Sequence, residues 1–216
     1  MSSLKIGEFA KLFGINRETV RYYTEKLIKE DPTGKTIFDP MTQGGIRSNQ
    51  VIEALLEKTG DFTYIGMDLH FQQVKNFKKI LSMQERCPET VFLAGRYENA
   101  PIRAESCDLI SCFFGLQTYS LFSDEFPVEK LLRFLKPGGK WFETFCCVKD
   151  KQQVADQYAH IKDTVECRYI RDQLSKHMRA TFVDSGETTE KGDLSRYFKE
   201  KAKVTFFSFV GIKESE

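Results

Sequence analysis

Apolar residues change their spacing partway along this chain, and the change divides it. Ile6, Phe9, Ala10 and Phe13 recur at i, i+3, i+4 and i+7, which predicts a short amphipathic helix. Gly14 stops it as a C-terminal cap glycine does. Asn16 stands as the N-cap of a second helix, whose face carries Val20, Tyr23 and Leu27. Two short helices across a glycine turn have a helix-turn-helix outline. Asp31, Pro32, Thr33 and Gly34 then break the pattern.

Beyond the break, apolar runs alternate with helical periods. Strands are predicted at 36–38, 64–67, 91–94, 109–114, 140–147, 180–183 and 203–212. Helices are predicted at 48–58, with Val51, Ile52, Leu55 and Leu56 on one side, and at 71–83, with Val74, Phe77, Ile80 and Leu81. A further helix spans 128–134, the turn Lys136-Pro137-Gly138-Gly139 follows it, and a long polar helical region covers 151–177. Alternating strands and helices predict an α/β fold whose sheet is parallel and covered on both faces. The expected organisation is a helical segment over 1–34 and an α/β domain over 35–216.

Composition narrows the classes. The chain has 216 residues, 41% hydrophobic and 13% aromatic, which excludes disordered and fibrous proteins. Lys and Arg number 32 against 31 Asp and Glu, so the net charge of +1 argues against a chain built as a whole to wrap nucleic acid. Lys5, Glu8 and Lys11 interrupt any secretory apolar segment, and the richest apolar stretches, 109–116 and 204–212, fall short of the roughly 18 residues of a membrane span. Cys87, Cys107, Cys112, Cys146, Cys147 and Cys167 form no Cys-x-x-Cys pair, and His70, His160 and His177 lack zinc-ligand spacing, so no metal site is expected. The cysteines are expected to be reduced thiols of a cytoplasmic protein.

Four candidate positions fall at the C-terminal ends of successive strands, where open α/β sheets bind ligands. The first, Ile37-Phe38-Asp39-Pro40-Met41-Thr42-Gln43-Gly44-Gly45, is a strand running into a glycine turn, where a missing Cβ lets backbone approach a ligand. The second ends in Asp68, followed by Leu69; an acid 23 residues past Gly45 is placed to take the two hydroxyls of a ribose. Capping of the helix that follows is the alternative for Asp68. The third is Gly95-Arg96-Tyr97-Glu98-Asn99-Ala100-Pro101 ahead of the strand at 109–114, and the fourth is Leu135-Lys136-Pro137-Gly138-Gly139.

Over roughly residues 36–147 these strings together resemble the class I S-adenosylmethionine-dependent methyltransferases, and residues 206–213 are similar to that family's last strand. The resemblance implies a doubly wound, mostly parallel seven-stranded sheet, with S-adenosylmethionine as cofactor. It would set Asp39 and the Gly44–Gly45 turn against the methionyl part, Asp68 with Leu69 at the ribose, and Arg96 and Tyr97 along the adenine. Cys112 and Phe113 would lie near the transferable methyl, and Tyr119 would meet the substrate. Met41 and Gln43 stand where the family has its first two loop glycines, and Arg96 is a donor where an acceptor is expected. The strand ending Ser111-Cys112-Phe113-Phe114-Gly115 lacks the motifs of base-amino and cytosine C5 methylation, so Cys112 is a poor nucleophile and no catalytic residue is assigned. The implied activity is methyl transfer to a small molecule. The alternatives are a transcriptional regulator with a ligand-sensing domain and a methyltransferase-like protein without activity.

Residues 6–28 resemble the helix-turn-helix of the mercury-resistance-regulator family, on Ile6-Gly7-Glu8 and Thr19-Val20-Arg21-Tyr22-Tyr23. In that family Arg17, Thr19, Arg21 and Tyr22 would contact DNA. Here the glycine between Lys26 and Leu27 is missing, and no wing or coiled coil follows. Six basic residues against five acids over 1–34 leave +1, a poor footprint for phosphates, so DNA is the disfavoured partner. So short a segment needs support, and docking it as a lid would hang Tyr22 or Tyr23 over the Asp39–Gly45 loop. Deleting residues 1–30 is expected to lower S-adenosylmethionine affinity in calorimetry while circular dichroism shows the sheet intact.

Overall fold

The computed structural model describes residues 32–56, 61–113, 115–116, 126–188 and 197–214. The helices expected over 1–31, with Tyr23, lie outside the described residues, as does Tyr119. Seven strands form one sheet: β1 (Thr36–Asp39), β2 (Thr63–Asp68), β3 (Glu89–Ala94), β4 (Cys107–Phe113), β5 (Leu135–Cys147), β6 (Arg179–Thr188) and β7 (Val204–Ile212). Their order is β3-β2-β1-β4-β5-β7-β6. The first five pair in parallel, and β7 runs antiparallel between β5 and β6. The four described α-helices are α1 (Ile46–Leu56), α2 (Phe71–Leu81), α3 (Val128–Leu132) and α4 (Cys167–His177).

Alternating side chains divide the interior between the two faces. Ile37, Tyr64, Leu109 and Phe142 join Val51, Ile52 and Leu55 of α1 and Phe77 and Leu81 of α2 in one core. Phe38, Met67, Ile110 and Trp141 join Val128 and Leu131 of α3 and Ile170 and Leu174 of α4 in the other. Central strands buried on both faces are mostly apolar, which is why Ile37-Phe38 of β1 and Leu109-Ile110 of β4 read as apolar runs. Each fully buried Leu or Phe contributes about 1.5–3 kcal/mol. The sheet grows from β1 toward β3 on one side and from β4 toward β6 on the other. Their ends therefore flank a topological switch point.

Three segments differ from the sequence expectation. Residues 136–139 head β5, because the Gly138 N–H donates to the Lys213 carbonyl at 2.8 Å and the Lys213 N–H to that of Gly139 at 3.0 Å. The region 151–177 is not one helix but two 3₁₀ turns, Lys151–Gln153 and Asp156–Ile161, ahead of α4. Backbone groups that a helix would use internally go elsewhere: Ala155 N–H donates to the Tyr197 carbonyl, Lys199 N–H to that of Gln153 and Cys167 N–H to that of Val148. Cys147 and Cys167, expected as thiols, form a disulfide between the end of β5 and the start of α4. Closing a loop of 20 residues restricts the unfolded chain by about 3 kcal/mol. Cys87, Cys107, Cys112 and Cys146 take no part in a disulfide.

Between β1 and α1 lies a 3₁₀ turn, Gln43–Gly45. Gly45 has φ +84°, and a Cβ there would fall on the Phe77 ring of α2. Gly138, at φ +74°, has no heavy atom within 4 Å of such a Cβ. Gly45→Ala is therefore expected to cost about 2–5 kcal/mol, left-handed strain plus overpacking, and Gly138→Ala about 1–2 kcal/mol from strain alone. Urea unfolding of the two variants checks the difference.

Candidate functional site

Asp39 ends β1 and is 2% exposed. Its Oδ2 accepts hydrogen bonds from Ser48 Oγ of α1 at 2.5 Å and Tyr64 OH of β2 at 2.6 Å, and its Oδ1 from the Met41 N–H at 3.1 Å. Burial pushes the carboxyl up to about 6 against these three donors, with a smaller push from Asp68. Burial, then the Asp39 charge, holds the Tyr64 phenol well above its ordinary value. Asp39 is thus turned inward onto α1 and β2.

Asp68, at the end of β2, is 4% exposed. Its Oδ2 accepts from the Gln43 N–H at 2.9 Å and its Oδ1 from the His70 N–H at 3.0 Å. His70 is the N-cap of α2 and no side chain caps that helix, so Asp68 fastens the turn before α2 and the loop after β1. Two carboxylate oxygens offer about four acceptor positions, and two N–H groups leave capacity for further donors. Leu69 next to it is 49% exposed and Phe71 is 69% exposed, an apolar margin beside a buried acid.

Gln43 spans the switch point. Its backbone is held by Asp68, and its Nε2 donates to the carbonyl of Phe113, the last residue of β4, at 3.1 Å. Its φ of +48° lies in the left-handed region that glycine occupies without strain. Gly44 and Gly45 are buried; a Cβ on Gly44 would meet Gln73 Oε1 and one on Gly45 the Phe77 ring. Both glycines let α2 close on the loop.

Cys112 of β4 is fully buried, and burial followed by the nearby Glu143 holds its thiol protonated, well above the ordinary value. Glu143, opposite it on β5, is also fully buried. Its Oε1 accepts from the Leu116 N–H at 2.8 Å and its Oε2 from Trp141 Nε1 at 3.0 Å. Burial pushes Glu143 up to about 8, opposed first by the Leu116 N–H. Beyond β3, the Gly95 N–H donates to the Asp68 carbonyl at 2.9 Å; Arg96 is exposed, and Tyr97 is buried in the core on the α3 side.

The ends of β1, β2 and β4 therefore bring Asp39, Gly44, Gly45, Asp68, Cys112 and Phe113 together, with Leu69 on the margin and Arg96 and Tyr97 following β3. Ser48, Tyr64 and Glu143 were not among the sequence candidates. A lone acid inside the apolar run Trp141-Phe142-Glu143-Thr144-Phe145 is a signal that singles out Glu143, since an acid is rarely fully buried without partners. Among the described residues no cluster of three or more His, Cys, Asp or Glu is arranged for a metal ion, and no helix is long and apolar enough to cross a membrane.

A family described as a methyltransferase domain matches residues 44–142. YcgJ of Bacillus subtilis superposes with a TM-score of 0.61 at 14% identity, over 91% of this chain and 100% of that one. A Methanosarcina mazei protein described as an S-adenosylmethionine-dependent methyltransferase gives 0.61 at 11% identity, over 89% and 97%. The fold is that of the class I methyltransferases. The geranyl diphosphate C-methyltransferase of Streptomyces coelicolor A3(2), solved with S-adenosylhomocysteine, Mg2+ and geranyl diphosphate, shares this fold at 0.62 and 12% identity, over 89% and 77%. No curated protein matches the chain in sequence.

A methyltransferase fold with a buried Asp39 carries a pH signature. The folded-state value of about 6 lies above the ordinary 3.8, so the stability Asp39 contributes is complete below 3.8 and lost as pH rises through about 6. Relative to wild type, Asp39→Asn should gain up to about 3 kcal/mol across that window. Urea unfolding of both proteins between pH 4 and 7 measures it.

Proposed function

We propose that this chain is an S-adenosylmethionine-dependent methyltransferase acting on a small molecule. The observation that carries the reading is Asp68: a buried carboxylate with acceptor capacity to spare, beside the switch point of a methyltransferase-type sheet. Asp68 takes the ribose hydroxyls, and the exposed Leu69 offers apolar surface beside them. Arg96 and Tyr97 lie toward the adenine, and Gly44, Gly45, Cys112 and Phe113 flank the methionyl side. Asp39 acts from beneath, by fixing the start of the loop. The cofactor supplies an electrophilic methyl on a sulfonium. The chain's part is to hold the acceptor atom in line with it, and positioning alone supplies much of such a rate. The buried, protonated Cys112 thiol is no nucleophile. Residues 1–34, with Tyr23, serve as a lid, and Tyr119 as a substrate contact.

Gln43 favours a second reading, a methyltransferase-like protein without turnover, because its side chain ties β1 to β4 across the crevice. Calorimetry with S-adenosylmethionine and S-adenosylhomocysteine tests both. Wild type is expected to bind, Asp68→Ala to bind more weakly by about 1–3 kcal/mol, and Gln43→Gly more tightly through loss of strain and of the tie. Binding by Gln43→Gly alone would favour the second reading, and binding by neither protein would remove the first.

A further inference from the structure

Glu143 is the one fully buried acid of the site region that the proposed chemistry leaves without a task. It lies in the middle of β5, opposite Cys112 of β4 and Phe209 of β7. Its carboxylate is used in two directions. Along its own strand it accepts the Trp141 indole N–H at 3.0 Å, and across β4 it accepts the Leu116 N–H at 2.8 Å. The Gly115 N–H also points to it. Gly115 and Leu116 are the described residues just beyond β4, and a Cβ on Gly115 would strike Cys112 Sγ. The chain therefore leaves β4 pressed against Cys112, with its first free N–H groups fastened to an acid from the neighbouring strand.

We propose that Glu143 is a positioning residue: reaching over from β5, it fixes Gly115 and Leu116, the described residues just beyond β4, beside the strand-end site. This rests on the methyltransferase reading for its benefit to ligand binding, while the anchor itself does not. Among the described residues, the titratable groups acting on Glu143 are Asp39 from β1, which is charged above about pH 6, and Cys112 from β4, which stays protonated. Trp141 and Phe209, which flank it on β5 and β7, carry no charge. When the anchor is closed, Glu143 is out of water and titrates at about 8; when it opens, water reaches the carboxyl and the ordinary 4.5 returns. Opening therefore releases a proton between those values. The anchor is firmest at low pH, loosens as pH rises from 4.5, and stops loosening above about 8.

Trp141 is the only tryptophan of the chain and donates to Glu143, so the full-length protein carries its own optical probe. Its fluorescence should change once, near pH 8, and Glu143→Gln should abolish the change. In hydrogen exchange of the wild type, protection at residues 115–116 should fall by up to about tenfold per pH unit between pH 5 and 8 and then level off. The same amides in Glu143→Gln, the neutral counterpart, should show no such slope. Constant wild-type protection at 115–116 would overturn the anchor without any variant. With S-adenosylhomocysteine as probe, Glu143→Ala should bind about tenfold more weakly, and Glu143→Gln should recover most of the loss, as expected when an unmade buried hydrogen bond is restored. Undiminished binding by Glu143→Ala would overturn the positioning role. If the wild type binds no S-adenosylhomocysteine, the methyltransferase reading and the benefit to ligand binding fall together, and the exchange slope decides the anchor alone.

Discussion

A carboxylate taken out of water has to be given donors, and the crevice in this sheet is organised around three that have been. Asp39, Asp68 and Glu143 sit on adjacent or nearby parallel strands, and each takes at least one donor from chain 25 or more residues away: Tyr64 for the first, Gln43 for the second, Leu116 for the third. A single such bond has a net value of about 0.5–1.5 kcal/mol, yet removing one partner exposes the full penalty of an unsatisfied buried group. The connections after β1, β2 and β4 are each pinned this way. The loops beside the candidate site thus owe their shape to the same groups that hold the strands in register, and site and framework are one structure.

The apolar runs were enough to find all seven strands. The central ones are legible because a sheet covered on both faces leaves little room for polar residues in its centre, and the edge strand β3 because Val91, Phe92 and Leu93 are apolar although none is fully buried. The helix α2 was equally legible, since Val74, Phe77 and Leu81 repeat at its period and all three are buried. Positions whose meaning depends on distant partners were not. The polar stretch 151–177 has helical composition, and its pairing with residues 197–199 and with Val148 breaks it into pieces. Cys147 and Cys167 meet because β5 ends where α4 begins, a proximity that their separation of 20 residues does not reveal. The glycines after β1 were legible as a turn, but their tight contact is with Gln73 and Phe77 of α2.

The antiparallel β7 matters to the crevice indirectly. Its insertion between β5 and β6 gives β5 hydrogen-bonded neighbours on both sides from Lys140 to Thr144, so Trp141 and Glu143 sit where the strand has no free edge. A strand so held makes a rigid platform from which a side chain reaches the next connection.

The bond from Gln43 to Phe113 has a kinetic meaning. It crosses between the ends of β1 and β4, so under the proposed function a molecule settling there would have to wait for the two sides to part. Apparent affinity is then the intrinsic affinity reduced by the fraction of time the crevice stands open. Arrival is limited by that fraction, while departure depends on contacts made inside. Under the proposed function, glycine at this position would leave the crevice untied, whereas glutamine couples ligand exchange to the breaking of that one bond.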